Sequence, residues 1–213
     1  MNPLDRRTVL KLAGAGAALV AGAASGACGG SGGAKPPVET AITRGDKLEG
    51  DLSLAALLAS LENLLVFAYQ DGLTRKDRFG PYPPAVQAVI EETLRQHKEH
   101  AVAWNSILSG AGKPGITGNN LTVKGAILDP QLARGRDTTS FLGACLDLET
   151  TTAVTYLATM GTFENVAALK VAASIHPVEN QHIAALSFLL GRPLSSDAFA
   201  HPDGARTPTD AIG

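Results

Sequence analysis

The sequence predicts an all-α protein, a four-helix bundle in which two antiparallel helical hairpins are joined by one long crossover. Three observations predict this fold. From residue 51 onward, apolar residues recur at helical rather than strand spacing. Glycine and proline divide this part of the chain into four long segments. The connections between the segments are short, long and short in that order, which is the connectivity of a bundle with a crossover.

The composition describes a soluble globular domain and excludes several classes of function. The 213 residues are 45% hydrophobic and 18% charged, and 18 Lys+Arg against 20 Asp+Glu leave a net charge of −2. No basic surface for nucleic acid is expected from this balance. Two cysteines are too few for a disulfide framework. No Ser/His/Asp arrangement, phosphate-binding glycine loop or Cys-x-x-Cys pair supports a hydrolase, nucleotide-binding or rubredoxin-type function.

Residues 1–27 are predicted to be an export signal. Arg6-Arg7, with Leu10 and Lys11 behind them, precede an uncharged Gly/Ala-rich run over 12–27. That run is shorter than the roughly 20 residues of a membrane span, and the pattern resembles a bacterial twin-arginine signal. An ordinary secretory signal or an amphipathic tail stays open as the alternative. We expect the protein outside the plasma membrane, on its outer face or in the periplasm or cell envelope.

Cys28 is the predicted lipidation site. It ends the apolar run and precedes a Gly/Ser stretch, as in a lipoprotein cleavage site. That resemblance implies that a lipid on Cys28 holds the mature chain to the membrane. Ser25 stands where lipoproteins usually have leucine, so cleavage without lipidation stays open. Residues 28–50 are predicted to be a flexible Gly/Ser/Pro tether.

The helical domain is predicted over residues 51–192. Gly72 is expected to end the first helix, Pro83 to open the second, and Pro177 to kink or locally break the fourth. Residues 111–138 form the crossover, where nothing indicates a strong helix, and 193–213 form an irregular tail. The four predicted helices are 51–71, 83–110, 139–160 and 164–190.

Each predicted helix turns at least one metal-competent side chain toward the core. An isolated carboxylate or histidine has a plain explanation, as a rim residue or a hydrogen-bonded core residue. Together these residues indicate a metal site, because a buried carboxylate needs a cation or a hydrogen-bond network. Residues three apart on a helix also project together. The candidates are Glu62 on the first helix, His97 and His100 on the second, Glu149 on the third, and Glu179 and His182 on the fourth.

The string Glu179-Asn180-Gln181-His182, on the last of four suitably spaced helices, gives the chain a family resemblance. Over residues 48–192 it resembles bacterial exported ferritin-like domain proteins, within the ferritin and rubrerythrin superfamily. The resemblance implies two iron or manganese ions that react with dioxygen or peroxide, as in a ferroxidase-like oxidoreductase. It implies ligands at Glu62, His100, Glu149, Glu179 and His182, and His97 occupies the remaining ligand position.

His97 departs from the family pattern, which has glutamate at this position. Three carboxylates and three imidazoles carry less negative charge than the family's set. This should weaken binding of Mn²⁺ or Fe³⁺, whereas imidazoles suit Fe²⁺, Zn²⁺ and Cu²⁺. The identity and number of the metal ions therefore stay open, with zinc and no metal among the alternatives.

Three further residues are expected to lie beside the ligands: Tyr69, Tyr156 and His176. The tyrosines follow Glu62 and Glu149 by two helical turns, so they could donate hydrogen bonds or electrons. Simple core packing is the alternative, and Cys145 is expected to be a buried, inert thiol. A second hypothesis for function is a non-enzymatic envelope or stress-protection bundle with no metal or one structural metal. The sequence identifies no catalytic residue, substrate or oligomeric state.

Overall fold

Four long helices form the bundle. The computed structural model describes residues 48–193 and 200–210, and no strand occurs within these ranges. The predicted all-α bundle is confirmed. The predicted signal over 1–27, and Cys28 with most of the tether, lie outside the described residues. The long helices are α1 (Gly50–Thr74), α3 (Pro84–Gly110), α6 (Thr138–Met160) and α7 (Val166–Leu189).

Short elements connect the long helices. They are α2 (Lys76–Phe79), α4 (Leu121–Val123), a π-helical turn (Lys124–Leu128), α5 (Asp129–Arg134) and a 3-10 turn (Pro208–Asp210). The tail, over its described residues 200–210, packs beside the bundle, where the Arg206 backbone N–H donates to Thr155 Oγ1 at 3.0 Å.

The long helices pair as two hairpins. α1 packs along α3 and α6 packs along α7, while contacts of α1 with α6 and of α3 with α7 close the bundle. Short connections force each pair to run antiparallel, as predicted. α1 is long and apolar enough to cross a membrane, but most of it is buried in the bundle, as in a core helix of a soluble protein.

Side-chain caps define where α6 and α7 begin. The Asp137 side chain accepts from the Ser140 N–H at 2.8 Å and forms a capping box. The Asn165 side chain accepts from the Ala167 N–H at 2.8 Å. Asp51, in the first turn of α1, accepts from the Asn165 N–H at 2.5 Å. The start of α7 is thereby fixed to the start of α1.

The crossover contains more helix than the sequence indicates. We predicted no strong helix between 111 and 138, and this is wrong for 121–134, which is helical throughout. Asn120 caps this stretch by accepting from the Val123 N–H at 2.9 Å, and Pro130 is tolerated in the first turn of α5. Asn63 and Asn105 donate to the Ile116 carbonyl at 2.9 and 3.0 Å, which holds the crossover on α1 and α3.

Two helix-breaking residues do not break their helices. α1 continues past Gly72 to Thr74. This glycine makes room for a neighbour, because a Cβ there would overlap the Phe141 ring. α7 continues through Pro177. Ile175 and Glu179 stay buried on either side of the proline, so packing outweighs the lost hydrogen bond.

Substituting Gly72 by alanine is expected to destabilise the fold by about 1–3 kcal/mol, because the added methyl group overlaps the fully buried Phe141 ring. The free energy of unfolding in urea measures the effect. Gly110→Ala is the matched control, since a Cβ added there, at the end of α3, would have no neighbour within 4 Å. Equal effects of the two substitutions would contradict the packing role of Gly72.

Candidate metal centre

The six predicted ligand residues meet between the four long helices. Four of them are 0% exposed, and His100 and His182 are 9% and 5% exposed. Their position follows from the helical stripes, which turn one polar group per helix, or two, toward the axis of the bundle. α1 supplies Glu62, α3 supplies His97 and His100, α6 supplies Glu149, and α7 supplies Glu179 and His182.

The cluster consists of two overlapping groups of four residues. Within each group, one possible ligand atom from every residue lies within 4.8 Å of the others. His97 and Glu179 belong to both groups, and the two oxygens of the Glu179 carboxylate could serve two neighbouring cations. The first group is Glu62, His97, His100 and Glu179, and the second is His97, Glu149, Glu179 and His182.

His97 joins two carboxylates from different helices. Its Nδ1 lies 2.7 Å from Glu62 Oε2, and its Nε2 lies 3.0 Å from Glu149 Oε1. Burial lowers the pKa of His97, but the charges of Glu149 and Glu179 outweigh burial and raise that pKa well above its usual range. A carboxylate accepts hydrogen bonds and does not donate them. In the metal-free chain the ring therefore donates to both carboxylates as a cation.

The carboxylates differ in how their charge is compensated. Burial raises the pKa of Glu62, but the neighbouring imidazoles of His100 and His97 outweigh burial and lower the pKa to about 2. Burial and the charge of Glu62 raise the pKa of Glu179 well above its usual range. Glu179 is therefore the carboxylate that most needs another positive charge nearby.

Five buried ligand atoms have no hydrogen-bond partner. A buried polar atom without a partner is unfavourable by about 1–3 kcal/mol. Elsewhere in 48–193 and 200–210, only Arg206 Nε shares this condition. Cations bound in the two groups would give all five a partner, so the residues present fit metal ions. The five atoms are His100 Nδ1, Glu149 Oε2, Glu179 Oε1, Glu179 Oε2 and His182 Nδ1.

The two tyrosines hydrogen-bond to ligands in a crossed pattern. Tyr69, on the same helix as Glu62, donates to Glu149 Oε1 at 2.6 Å. Tyr156, on the same helix as Glu149, donates to Glu62 Oε1 at 2.5 Å. Burial and the charge of the accepting carboxylate raise the pKa of each tyrosine well above its usual range. Both phenols therefore remain protonated donors.

Sequence reasoning missed two residues that support the cluster. Trp104 Nε1 donates to the Tyr156 hydroxyl at 2.6 Å, and Gln96 Oε1 lies 2.6 Å from His182 Nε2. Trp104 follows His97 by seven residues, the spacing that singled out the tyrosines, so this signal could have found it. Gln96 carries no such signal, because its partner lies on another helix.

Two other candidates are not members of the ligand groups. His176 faces the Ala153 backbone on α6 with its ring, and its carbonyl accepts from Asn180 at 2.9 Å. Cys145 is a buried free thiol, as expected. Burial and the charge of Glu149 raise the pKa of this thiol well above its usual range.

Acid is expected to destabilise the metal-free chain through Glu62. Its folded pKa of about 2 lies below the ordinary 4.5, so its contacts stabilise the fold above about pH 4.5 and cease to do so as the pH falls toward 2. Urea unfolding in EDTA across this interval measures the loss. Glu62→Gln should flatten the dependence, whereas the exposed Glu164→Gln should not. Equal pH dependence in wild type and Glu62→Gln would contradict this.

Comparisons with known proteins agree with the helical architecture. The sequence profile of the ferritin-like domain matches residues 50–192. A conserved hypothetical protein from Mycobacterium tuberculosis is similar in structure, with 15% identity, a TM-score of 0.54, and coverage of 70% of this chain and 96% of that chain. A dodecameric thioferritin, the bacterioferritin-related protein of Bacteroides fragilis, has 17% identity and a TM-score of 0.52 over 66% of this chain and 84% of its own. No curated protein matches the chain.

Proposed function

We propose that this chain, which belongs to the ferritin-like domain family, binds two iron or manganese ions between its long helices and handles dioxygen or peroxide there. The observation that carries the proposal is the convergence of five unpartnered, buried ligand atoms. Two overlapping groups of four residues offer ligands for two ions. Such burial of carboxylates and imidazoles is unfavourable unless a cation compensates it.

Different residues of the cluster would bind each of the two ions. Glu62 and His100 face one position, Glu149 and His182 face the other, and Glu179 lies between them with His97. A bound iron or manganese ion supplies the electrons for reaction with an oxidant. Tyr69 and Tyr156 orient Glu149 and Glu62. The near-complete burial of the cluster excludes bulk water.

The donor set favours ferrous iron. Three imidazoles replace some of the negative charge that would stabilise harder cations, and imidazole is a good ligand for Fe²⁺ and Zn²⁺. We therefore expect Fe²⁺ to bind more tightly than Mn²⁺, which follows the general order of affinities for these metals.

The oxidase activity is tested with the full chain loaded anaerobically with Fe²⁺. On exposure to air, a ferrous-specific chelator reports how fast the bound Fe²⁺ disappears. We expect faster oxidation than for the same concentration of Fe²⁺ in buffer. Oxidation at the rate of free Fe²⁺, with the metal still bound, would refute the activity and leave a metal-binding bundle.

One observation favours a non-enzymatic bundle as the second candidate. His97 already joins Glu62 and Glu149 through both ring nitrogens, so part of the cluster is satisfied without any ion. A protein of this kind would protect or stabilise the cell envelope and bind no metal or one structural ion. Full stability in EDTA together with no uptake of Fe²⁺, Mn²⁺ or Zn²⁺ would select this candidate.

We infer export to the outer face of the plasma membrane from Arg6, Arg7 and Cys28, all of which lie outside the described residues. Cell fractionation tests it in a bacterium with a twin-arginine pathway. Replacing both arginines by lysine should retain the chain in the cytoplasm, and Cys28→Ala should release it from the membrane. Unchanged distribution of both variants would refute the inference.

A further inference from the structure

We propose that the two ligand groups bind metal ions unequally. The first ion binds to Glu149, Glu179 and His182, which we call the Glu149 half; Glu62 and His100 belong to the Glu62 half. Gln96 is the positioning residue that prepares His182 for the first ion. Glu62 and His97 form a hydrogen-bonded pair that must separate before the second ion binds. This proposal rests on the proposed function and adds an order of loading and a supporting residue.

Both carboxylate oxygens of Glu62 already have hydrogen-bond partners. Oε1 of Glu62 accepts from the Tyr156 hydroxyl at 2.5 Å, and Oε2 accepts from His97 Nδ1 at 2.7 Å. Neither oxygen is among the buried atoms that lack a partner. An ion bound here has to replace at least one of these short, charge-assisted hydrogen bonds.

The Glu149 half contains ligand atoms that have no hydrogen-bond partner. Oε1 of Glu149 accepts hydrogen bonds from the Tyr69 hydroxyl at 2.6 Å and from His97 Nε2 at 3.0 Å. Oε2 of Glu149 has no partner. Both oxygens of Glu179 and Nδ1 of His182 also lack partners. Nδ1 of His182 lies 3.4 Å from Glu149 Oε2 and 3.9 Å from Glu179 Oε2. An ion here gains three ligands without breaking a hydrogen bond.

Gln96 determines which nitrogen of His182 is available to a metal ion. The Glu92 carboxylate only accepts, so the Gln96 amide nitrogen, 2.8 Å from Glu92 Oε1, must donate to it. The amide oxygen therefore faces His182, and Nε2 of that ring must donate to it across 2.6 Å. Nδ1 is left with a free lone pair directed into the cluster.

His100 has no corresponding support. Its Nδ1 lies 2.9 Å from Glu179 Oε1 and 3.4 Å from Glu62 Oε2. Within the described ranges, no side chain hydrogen-bonds to its other ring nitrogen. The imidazole of the Glu149 half is therefore preorganised by a neighbouring amide, and that of the Glu62 half is not.

Anaerobic titration of the full chain with Co²⁺ tests the order of loading, because the visible spectrum of bound Co²⁺ reports its ligands. We expect two steps in wild type. Glu149→Gln should weaken the first step by about 100-fold or more, since loss of a neighbour of a ligand already weakens metal affinity by about 10–100-fold. Glu62→Gln should abolish the second step and leave the spectrum of the first. Glu164→Gln, an exposed site, is the matched control.

Gln96→Leu tests the positioning residue, because leucine keeps a similar size but cannot accept from His182. We expect first-step affinity to fall by about 10–100-fold, with a changed Co²⁺ spectrum and an unchanged melting temperature without metal. Equal weakening of the first step by Glu62→Gln and Glu149→Gln, or a Gln96→Leu titration like wild type, would overturn this proposal but not the proposed function. No Co²⁺ uptake by wild type would overturn both.

Discussion

Glu179→Gln is expected to remove both metal ions at once. Glu179 belongs to both ligand groups, and neither of its buried oxygens has a hydrogen-bond partner. Glutamine has the same size but no charge, so both positions lose their shared carboxylate. We expect affinity for Fe²⁺ to fall by about 100-fold or more, beyond the effect of losing a neighbour of a ligand. Anaerobic equilibrium dialysis measures the fall.

Without metal, Glu179→Gln should be at least as stable as wild type. Burial and the charge of Glu62 raise the pKa of Glu179 well above its usual range, so this carboxyl lowers the free energy of unfolding at neutral pH in the metal-free chain. We expect Glu179→Gln in EDTA to unfold at the same urea concentration as wild type or a higher one. Glu164→Gln should keep its ions. Retention of both ions by Glu179→Gln would contradict the shared role of this residue.

Phe141→Ala is expected to cause the largest loss of stability, about 3–5 kcal/mol. The ring is 0% exposed and stacks on Phe79 with a centroid distance of 5.4 Å. It also meets the Tyr69 ring edge-on at 6.4 Å and lies against Gly72 of α1. Its removal leaves a cavity where α6 packs on α1. Urea unfolding measures the loss.

Phe188→Ala is the matched control for that loss. Phe188 lies near the end of α7 and is 82% exposed, so its removal should change the free energy of unfolding by no more than about 0.5 kcal/mol. Because Tyr69 packs against Phe141, we also expect Phe141→Ala to weaken metal binding through a displaced Tyr69. Equal stability losses from the two substitutions would contradict the packing between α6 and α1.

Local signals predicted the helices but not every boundary. Helical spacing of apolar residues and the Pro83-Pro84 opening located the four long helices, because burial in a bundle requires that spacing. Gly72 was misjudged because its role depends on Phe141, which is distant in sequence. The break expected as one alternative at Pro177 does not occur, because packing on both sides of the proline outweighs a local penalty. The crossover helix was missed because Gly125 and Pro130 lie inside it.

The six ligand residues could be predicted from the sequence because all of them lie on apolar helical stripes, where a charged side chain is unfavourable. Their hydrogen-bond partners could not be predicted. Spacing placed Tyr69 beside Glu62, yet the tyrosine donates to Glu149 on another helix. Gln96 has no spacing signal at all, since His182 meets it only in the folded chain. Spacing within one helix predicts which side chains share a face. Contacts between helices can be identified only once the packing of the helices is known.

Counting the iron bound by the full chain tests the central claim most directly. The chain is loaded anaerobically with Fe²⁺, dialysed, and compared with a Glu62→Ala, Glu179→Ala double variant. We predict close to two ions per wild-type chain, lost in the variant. Binding near zero with Fe²⁺, Mn²⁺ and Zn²⁺ alike would contradict the claim, and would leave a ferritin-like bundle whose buried imidazoles and carboxylates only pair with one another.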